Sequence, residues 1–234
     1  MSNGKVAAVI AGGSGIGAAI ARKLRENGFE IAVLSPSGSG EKLGLELGGF
    51  GVTGTNASSA DIERLLKGCV ARWGRIDVLV NGAGHGPKRP LLDLTDDDWQ
   101  AGMDAYLMNV IRASRLVIPQ MLAQQGGAII NISSFGAVEP DALYSTSSVF
   151  RAALAAFTKM LSTQHASNGV RINNVLPGFV NSKPAKLELM MRVPMRRYAD
   201  VVEVAELVAF LASERAQYIT GQNLRIDGGL THSV

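Results

Sequence analysis

The stretch Val6-Ala7-Ala8-Val9-Ile10-Ala11-Gly12-Gly13-Ser14-Gly15-Ile16-Gly17 decides the fold. Its first five residues are apolar and uninterrupted, which reads as a short strand covered on both faces. Glycines follow at once, and Ile20 and Leu24 then open a helical spacing. A strand, a glycine turn and a helix start place unpaired backbone N–H groups and the positive end of the helix dipole where a pyrophosphate can sit. Glycine suits such a turn because a Cβ would hold the phosphate away from the backbone. The reading implies dinucleotide binding. It leaves open a tight turn that serves only helix–strand packing.

Outward from this turn the chain keeps alternating. Apolar, β-branched runs at Val6–Ile10, Ile31–Leu34, Ile76–Val80, Ala128–Ile132, Arg171–Leu176 and Asn223–Ile226 are separated by longer stretches with helical period. Ile62, Leu65, Leu66, Cys69, Val70 and Trp73 form one helical stripe. Thr95 before Asp96, Asp97 and Asp98 reads as a capped helix start, and Asp200 caps a stripe that runs from Val201 to Leu211. Near-continuous apolar strands between helices predict an α/β fold with a doubly wound parallel sheet of Rossmann type. No composition break, linker or repeat divides residues 1–234, so a single domain is expected.

The composition narrows the classes. Of 234 residues, 47% are hydrophobic and 18% charged, below the roughly 25% charged share of ordinary soluble domains, which marks a core-rich chain. The net charge is +3 and the basic residues are scattered, so no nucleic-acid footprint is expected. The run Val6–Ala11 is too short for a membrane span or a signal segment. One cysteine, Cys69, excludes an intrachain disulfide framework and predicts a reducing, cytoplasmic setting; its place on an apolar helix face reads as core packing. His85, His165 and His232 share no metal-ligand spacing. A GxSxG elbow is absent, which argues against a hydrolase, and the glycine turn lacks the Gly-Lys-Ser/Thr ending of a P-loop.

Several ordered segments resemble the short-chain dehydrogenase/reductase family over nearly the whole chain. Lys5–Gly17 is similar to its first strand and TGxxxGxG turn, Val80-Asn81-Gly82-Ala83-Gly84 to its NNAG strand end, and Asn131-Ile132-Ser133-Ser134 to the strand that carries its active serine. Pro177-Gly178 resembles the loop at the nicotinamide, and Thr220-Gly221-Gln222 through Asp227-Gly228-Gly229 the C-terminal strand. The resemblance implies about seven strands and a bound nicotinamide dinucleotide. It assigns cofactor contacts to Ala11, Gly12, Ser14, Gly15, Ile16, Gly17, Ser35, Ser37, Asn81, Ala83, Gly84, Arg151, Pro177, Gly178 and Val180. It also implies a substrate lid near 182–198, where Met190, Met191 and Met195 suggest either a small or apolar substrate pocket or packing against a partner subunit. A homodimer or homotetramer is expected by the same resemblance.

The departures are informative. Ala11 stands where the family has its first turn glycine, with Gly12 and Gly13 beside it. At the end of the second strand NAD-preferring relatives carry an acid, but this chain has Ser35, followed by Pro36, Ser37, Gly38 and Ser39. Nothing there repels a 2′-phosphate, so the reading leans towards NADP(H), with NAD(H) open and a flexible loop over Ser35–Gly40 as the alternative. Thr55 and Asn56 stand where an acid near the adenine is expected.

The catalytic segment departs further. In the family a tyrosine exchanges a proton with the substrate oxygen, a lysine four residues on lowers its pKa, a serine binds that oxygen and an asparagine holds a water. Here the segment reads Tyr144-Ser145-Thr146-Ser147-Ser148, so its one tyrosine has serine four residues later. Ser134 to Tyr144 is ten residues where thirteen is usual, and Tyr144 to Lys159 is fifteen where twelve is usual. A gapless register removes both misfits and places Ser147 at the tyrosine position and Arg151 at the lysine position. Ser134 and Asn109 keep their family positions, Asn109 as water holder or as a structural bend. Two outcomes stay open: Tyr144 reaches in as a displaced acid/base with Arg151 depressing its pKa, or it merely lines the substrate loop of an impaired site. The expected function is hydride transfer between NADP(H) or NAD(H) and a small carbonyl/alcohol substrate; the alternative is a dinucleotide-binding module that acts as regulator or oligomer partner.

Overall fold

The computed structural model describes residues 4–182 and 184–233; residues 1–3 and Val234 of the expected domain and Lys183 of the expected lid lie outside the described residues. Seven strands, β1 (Val6–Ile10), β2 (Glu30–Ser35), β3 (Phe50–Thr53), β4 (Val78–Asn81), β5 (Gly127–Ile132), β6 (Val170–Pro177) and β7 (Asn223–Ile226), form one sheet. Every pair is parallel, in the order β3-β2-β1-β4-β5-β6-β7. The chain is a single α/β domain with a doubly wound sheet, as the alternation predicts. β3 is absent from the apolar runs, because its Gly51 interrupts the pattern and it sits half-exposed at the sheet edge.

Eight α-helices complete the described fold: α1 (Gly15–Glu26), α2 (Ser39–Glu46), α3 (Ser59–Trp73), α4 (Asp96–Met103), α5 (Asn109–Ala123), α6 (Ser145–His165), α7 (Leu187–Met190) and α8 (Val201–Ala212). One core packs α1 and α8 on one face of the sheet through Ile20, Leu24, Val204 and Val208. A second packs α3 and α5 on the other through Ile62, Leu65, Cys69, Val117 and Met121. Burial pushes the Cys69 thiol up to about 12, in keeping with a packing role. The predicted caps form: Thr95 with Asp98 and Asp200 with Glu203 both close capping boxes. Of the expected loop Ser35–Gly40, Ser35 ends β2 and Ser39 and Gly40 begin α2, which Leu43 anchors in the core, while residues 36–38 form the turn between them. Among the described residues no helix is long and apolar enough to cross a membrane.

The side chains of Asn81, Asn131, Asn174 and Asn223 form a ladder across β4, β5, β6 and β7 at matched register. Asn81 donates to Asn131 at 2.9 Å, Asn131 to Asn174 at 2.9 Å, and Asn174 to Asn223 at 2.8 Å, with the Thr158 hydroxyl of α6 joined to the middle pair. The two central amides each donate and accept, so Asn131 and Asn174 are buried within apolar strands without the full desolvation cost.

Candidate active site

The strand order reverses between β1 and β4, and the loops that follow the carboxyl ends of β4, β5 and β6 wall a cavity of about 400 Å³. It is reached from the glycine turn through Ile16 and lined by Ala83 and Gly84 after β4, Ser134 after β5, Pro177 at the end of β6 with Gly178 and Val180 after it, Tyr144 just before α6, and Ser147 and Arg151 from the first two turns of α6. Separate sequence motifs therefore converge on one space. Asn81 is not part of its lining; its side chain belongs to the asparagine ladder.

In the turn, Ala11 has φ +58°, the left-handed region that favours glycine. Gly17 cannot be replaced without movement, since a Cβ there would run into the carbonyl oxygen of Ala11. Ser14 makes no side-chain cap at the start of α1, and that first turn holds no acidic residue. The amides there are thus not claimed by the chain's own side chains, whereas Ser58, Thr95 and Asp200 cap α3, α4 and α8. A Cβ on Gly13 would strike the hydroxyls of Ser35 and Ser39, so the bare glycine brings the turn against the end of β2. There Ser35 Oγ lies 3.2 Å from Ser39 Oγ and Ser37 Oγ 2.7 Å from the same atom. Gly12 donates its amide to the Leu34 carbonyl at 3.0 Å, which ties the turn to β2. At Thr55 the backbone amide donates to Asp61 of α3, so a carboxylate missing from the local sequence arrives from the next helix.

Arg151 is buried inside the fold, 7% exposed. Its Nε donates to Ser147 Oγ at 3.1 Å, its Nη1 to the Ile132 carbonyl at 2.7 Å, and its guanidinium lies 4.9 Å from the ring centroid of Tyr106. Burial lowers its pKa to about 10, which still leaves it charged at neutral pH. Tyr144 is not in the helix: it ends a 3₁₀ turn (Ala142–Tyr144) and immediately precedes α6. Burial first, then Asp141 and Tyr198, raise the Tyr144 phenol, with Arg192 opposing. Arg151 is not among the groups that shift it; its Nε and Nη1 are bonded to Ser147 and the Ile132 carbonyl. This corrects the expectation that Arg151 depresses the Tyr144 pKa.

Ser134 Oγ accepts from the Gly136 amide at 3.3 Å and keeps its proton free for the cavity. Asn109 stands where a π-helical turn (Asp104–Met108) passes into α5; its Nδ2 donates to the Gly82 carbonyl at 3.3 Å, and its Oδ1 is buried without a hydrogen-bond partner. Both the structural bend and an unspent acceptor are thus present at one residue.

Sequence reasoning missed Tyr106, buried under Arg151 with its hydroxyl accepting the Gly86 amide at 2.6 Å. The π-turn that aims it has no local signature. It also missed the aromatic wall: Phe135 meets Tyr144 edge-on at 6.3 Å and Phe179 at 5.6 Å, and Phe179 stacks on Tyr198 at 5.6 Å. The lid supplies Lys186, Leu189 and Tyr198 to the cavity, while Met191 and Met195 are exposed and outside its lining. The apolar pocket expected from the lid methionines is built from aromatic rings instead. Among the described residues no group of three His, Cys, Asp or Glu stands close enough to hold a metal ion.

Fold and site together define a doubly wound α/β protein with its cavity at the strand carboxyl ends. A family model described as enoyl-(acyl carrier protein) reductase matches residues 10–231. The oxidoreductase UcpA of Escherichia coli (strain K12) is 34% identical, covering 97% of this chain and 95% of its own length. The 3-oxoacyl-(acyl-carrier-protein) reductase FabG of Vibrio cholerae is 34% identical over 97% of each. Among solved structures, L-sorbose reductase from Gluconobacter frateurii, complexed with NADPH and L-sorbose, superposes with a TM-score of 0.91 at 28% identity, covering 99% of this chain and 98% of its own. The chain belongs to the short-chain dehydrogenase/reductase family, and its relatives make it an oxidoreductase.

Proposed function

We propose that this chain transfers a hydride between NADP(H) and a small carbonyl/alcohol pair held in the cavity. The observation that carries the reading is the continuity from the uncapped amides at the start of α1 to a cavity lined by Ser134, Tyr144, Ser147 and Arg151. The donor set fits a dinucleotide: amides of the first turn of α1 for the pyrophosphate, and the hydroxyls of Ser35, Ser37 and Ser39, with no carboxylate at the end of β2, for a 2′-phosphate. The NADPH in the sorbose reductase complex supports the same choice. Ala83, Gly84, Pro177, Gly178 and Val180 are the groups that would flank the nicotinamide.

When bound, the reduced nicotinamide supplies the hydride, two electrons with one hydrogen, to the carbonyl carbon and leaves oxidised. The chain's part is to place the carbonyl and to supply one proton to its oxygen. Ser147 and Arg151 stand at the family's tyrosine and lysine positions. Because Ser147 Oγ accepts from Arg151, its own hydrogen is free to point at the substrate oxygen, beside that of Ser134. Two such donors stabilise the charge that builds on the oxygen, but a serine alkoxide is too basic for serine to be the proton source at neutral pH. Tyr144, raised by burial and by Asp141, keeps its proton and is the cavity acid closest in chemistry to the task.

The homo-oligomer implied by the resemblance is supported by exposed apolar side chains on α6, Val149 and Met160; sedimentation tests it. A binding module without turnover gains no support from the relatives. NADPH titrated into the protein by fluorescence, followed by a carbonyl panel read at the reduced-nicotinamide absorbance, tests the main reading. Binding and oxidation are expected; NADPH binding without oxidation by any carbonyl, or no binding, would overturn it.

A further inference from the structure

The cavity is one-sided in charge. Among the described residues its lining contains Lys88, Lys186 and Arg151 but no aspartate or glutamate. Arg151 lies buried and gives Nε to Ser147 and Nη1 to the Ile132 carbonyl, and Lys186 has Glu188 at 4.0 Å. Lys88 is different. No described carboxylate lies within ion-pairing distance of it, while its neighbour Arg89 is paired with Asp98 and nearby Arg192 with Asp141. Its ammonium instead stands 4.6 Å from the ring centroid of Tyr144, at the aromatic wall of the cavity.

The backbone that carries Lys88 is held from two sides. The buried Tyr106 hydroxyl accepts the amide of Gly86 at 2.6 Å, and the buried Thr146 hydroxyl of α6 donates to the Pro87 carbonyl at 3.1 Å. Two anchors in consecutive residues fix the loop immediately before Lys88, whose exposed side chain reaches over the Tyr144 ring. A lysine without a counter-ion, positioned beside an acid-free cavity walled by Phe135, Tyr144, Phe179 and Tyr198, is half of an ion pair whose other half is absent from the described chain.

The geometry points to a substrate with an apolar or aromatic body and an anionic group, a carboxylate or a phosphate, that Lys88 receives. This deepens the reading above, since it rests on the cavity being the carbonyl site. It makes Lys88 a specificity residue: it orients the substrate through its far end and takes no part in hydride or proton transfer.

The test uses the NADPH-loaded protein and calorimetry with three matched pairs: benzoylformate and its methyl ester, benzoate and benzamide, phenyl phosphate and benzyl alcohol. At least one anion is expected to bind at least about tenfold tighter than its uncharged counterpart. Lys88→Met, which keeps the apolar stem over the ring, is expected to remove about tenfold of that affinity, the worth of one charge-assisted hydrogen bond. Lys88→Arg restores most of it, and Arg89→Met, at the paired neighbour, leaves it unchanged. The carboxylate and phosphate arms tell the two anions apart. No preference for any anion, or a preference that survives Lys88→Met, overturns the inference even where NADPH binds; failure of NADPH itself to bind counts instead against the function proposed above.

Discussion

Arg151 and Ser147 lie one turn apart on α6, and Arg151 Nε donates to Ser147 Oγ at 3.1 Å. The bond turns the serine hydrogen outward and commits the guanidinium inward. Ser147→Ala removes one donor to the developing oxyanion and is expected to lower kcat by about a hundredfold, with little effect on NADPH binding. Arg151→Met leaves the Ile132 carbonyl buried without its donor and is expected to cost about 1–3 kcal/mol of stability in denaturant unfolding. Steady-state kinetics and urea titration check the pair.

Tyr144→Phe separates the proposed acid from a mere wall residue, since the ring contacts with Phe135 and Lys88 survive the change. A fall in carbonyl reduction of about 10²-fold or more is expected. The pH profile follows from the raised phenol: the protonated form is needed, burial and Asp141 hold the proton on, and activity is lost as pH rises through the folded value. Reduction is expected to stay level through neutral pH and to decline only in the alkaline range beyond an ordinary phenol's titration. A profile that falls between about pH 6 and 8 assigns the proton to another group.

Ser35→Asp puts a carboxylate beside the Ser37 and Ser39 hydroxyls. Repulsion of a 2′-phosphate is expected to weaken NADPH by more than about tenfold while NADH is held or improved. Competitive titration of the two nucleotides reads the switch directly. Equal losses for both would remove the serine cluster from the cofactor site.

Ala11 holds φ +58°, a conformation that costs an L-residue roughly 1–2 kcal/mol and glycine much less. Ala11→Gly is expected to raise stability by about 0.5–1 kcal/mol, a few degrees in Tm, after the entropy of the added glycine is set against it. Gly17→Ala acts the other way, because its Cβ meets the Ala11 carbonyl, and nucleotide binding is expected to be lost.

Much of this architecture is legible in the chain. Six strands follow from short runs rich in β-branched residues, and the caps at Thr95 and Asp200 from a side-chain oxygen ahead of acidic first turns. Ser134, Ser147 and Arg151 are placed by the resemblance to the family, and all three line one cavity. β3 escapes because a glycine-bearing edge strand has little pattern to show. Nothing local to Asn81 reveals its place in the ladder, because its side-chain partner, Asn131, lies fifty residues on, across the sheet. The partner of Arg151 is equally hidden: i, i+7 spacing suggests Tyr144, yet the helix starts one residue later and the guanidinium takes the i−4 serine and a strand carbonyl.

By itself the order of residues determined the alternation of strands and helices, the glycine turn and a Tyr144 with serine four residues on. These depend on hydrophobic period, turn chemistry and sequence distance, which are local. Only the tertiary structure decided where charges go: that Arg151 is buried in the fold, that Tyr144 is raised and not lowered, and that Lys88 stands over the Tyr144 ring with no carboxylate among the described residues in ion-pairing distance. Electrostatic and hydrogen-bond partners are chosen across space between strands and helices far apart in the chain, and desolvation, which sets their strength, exists only once the core has closed.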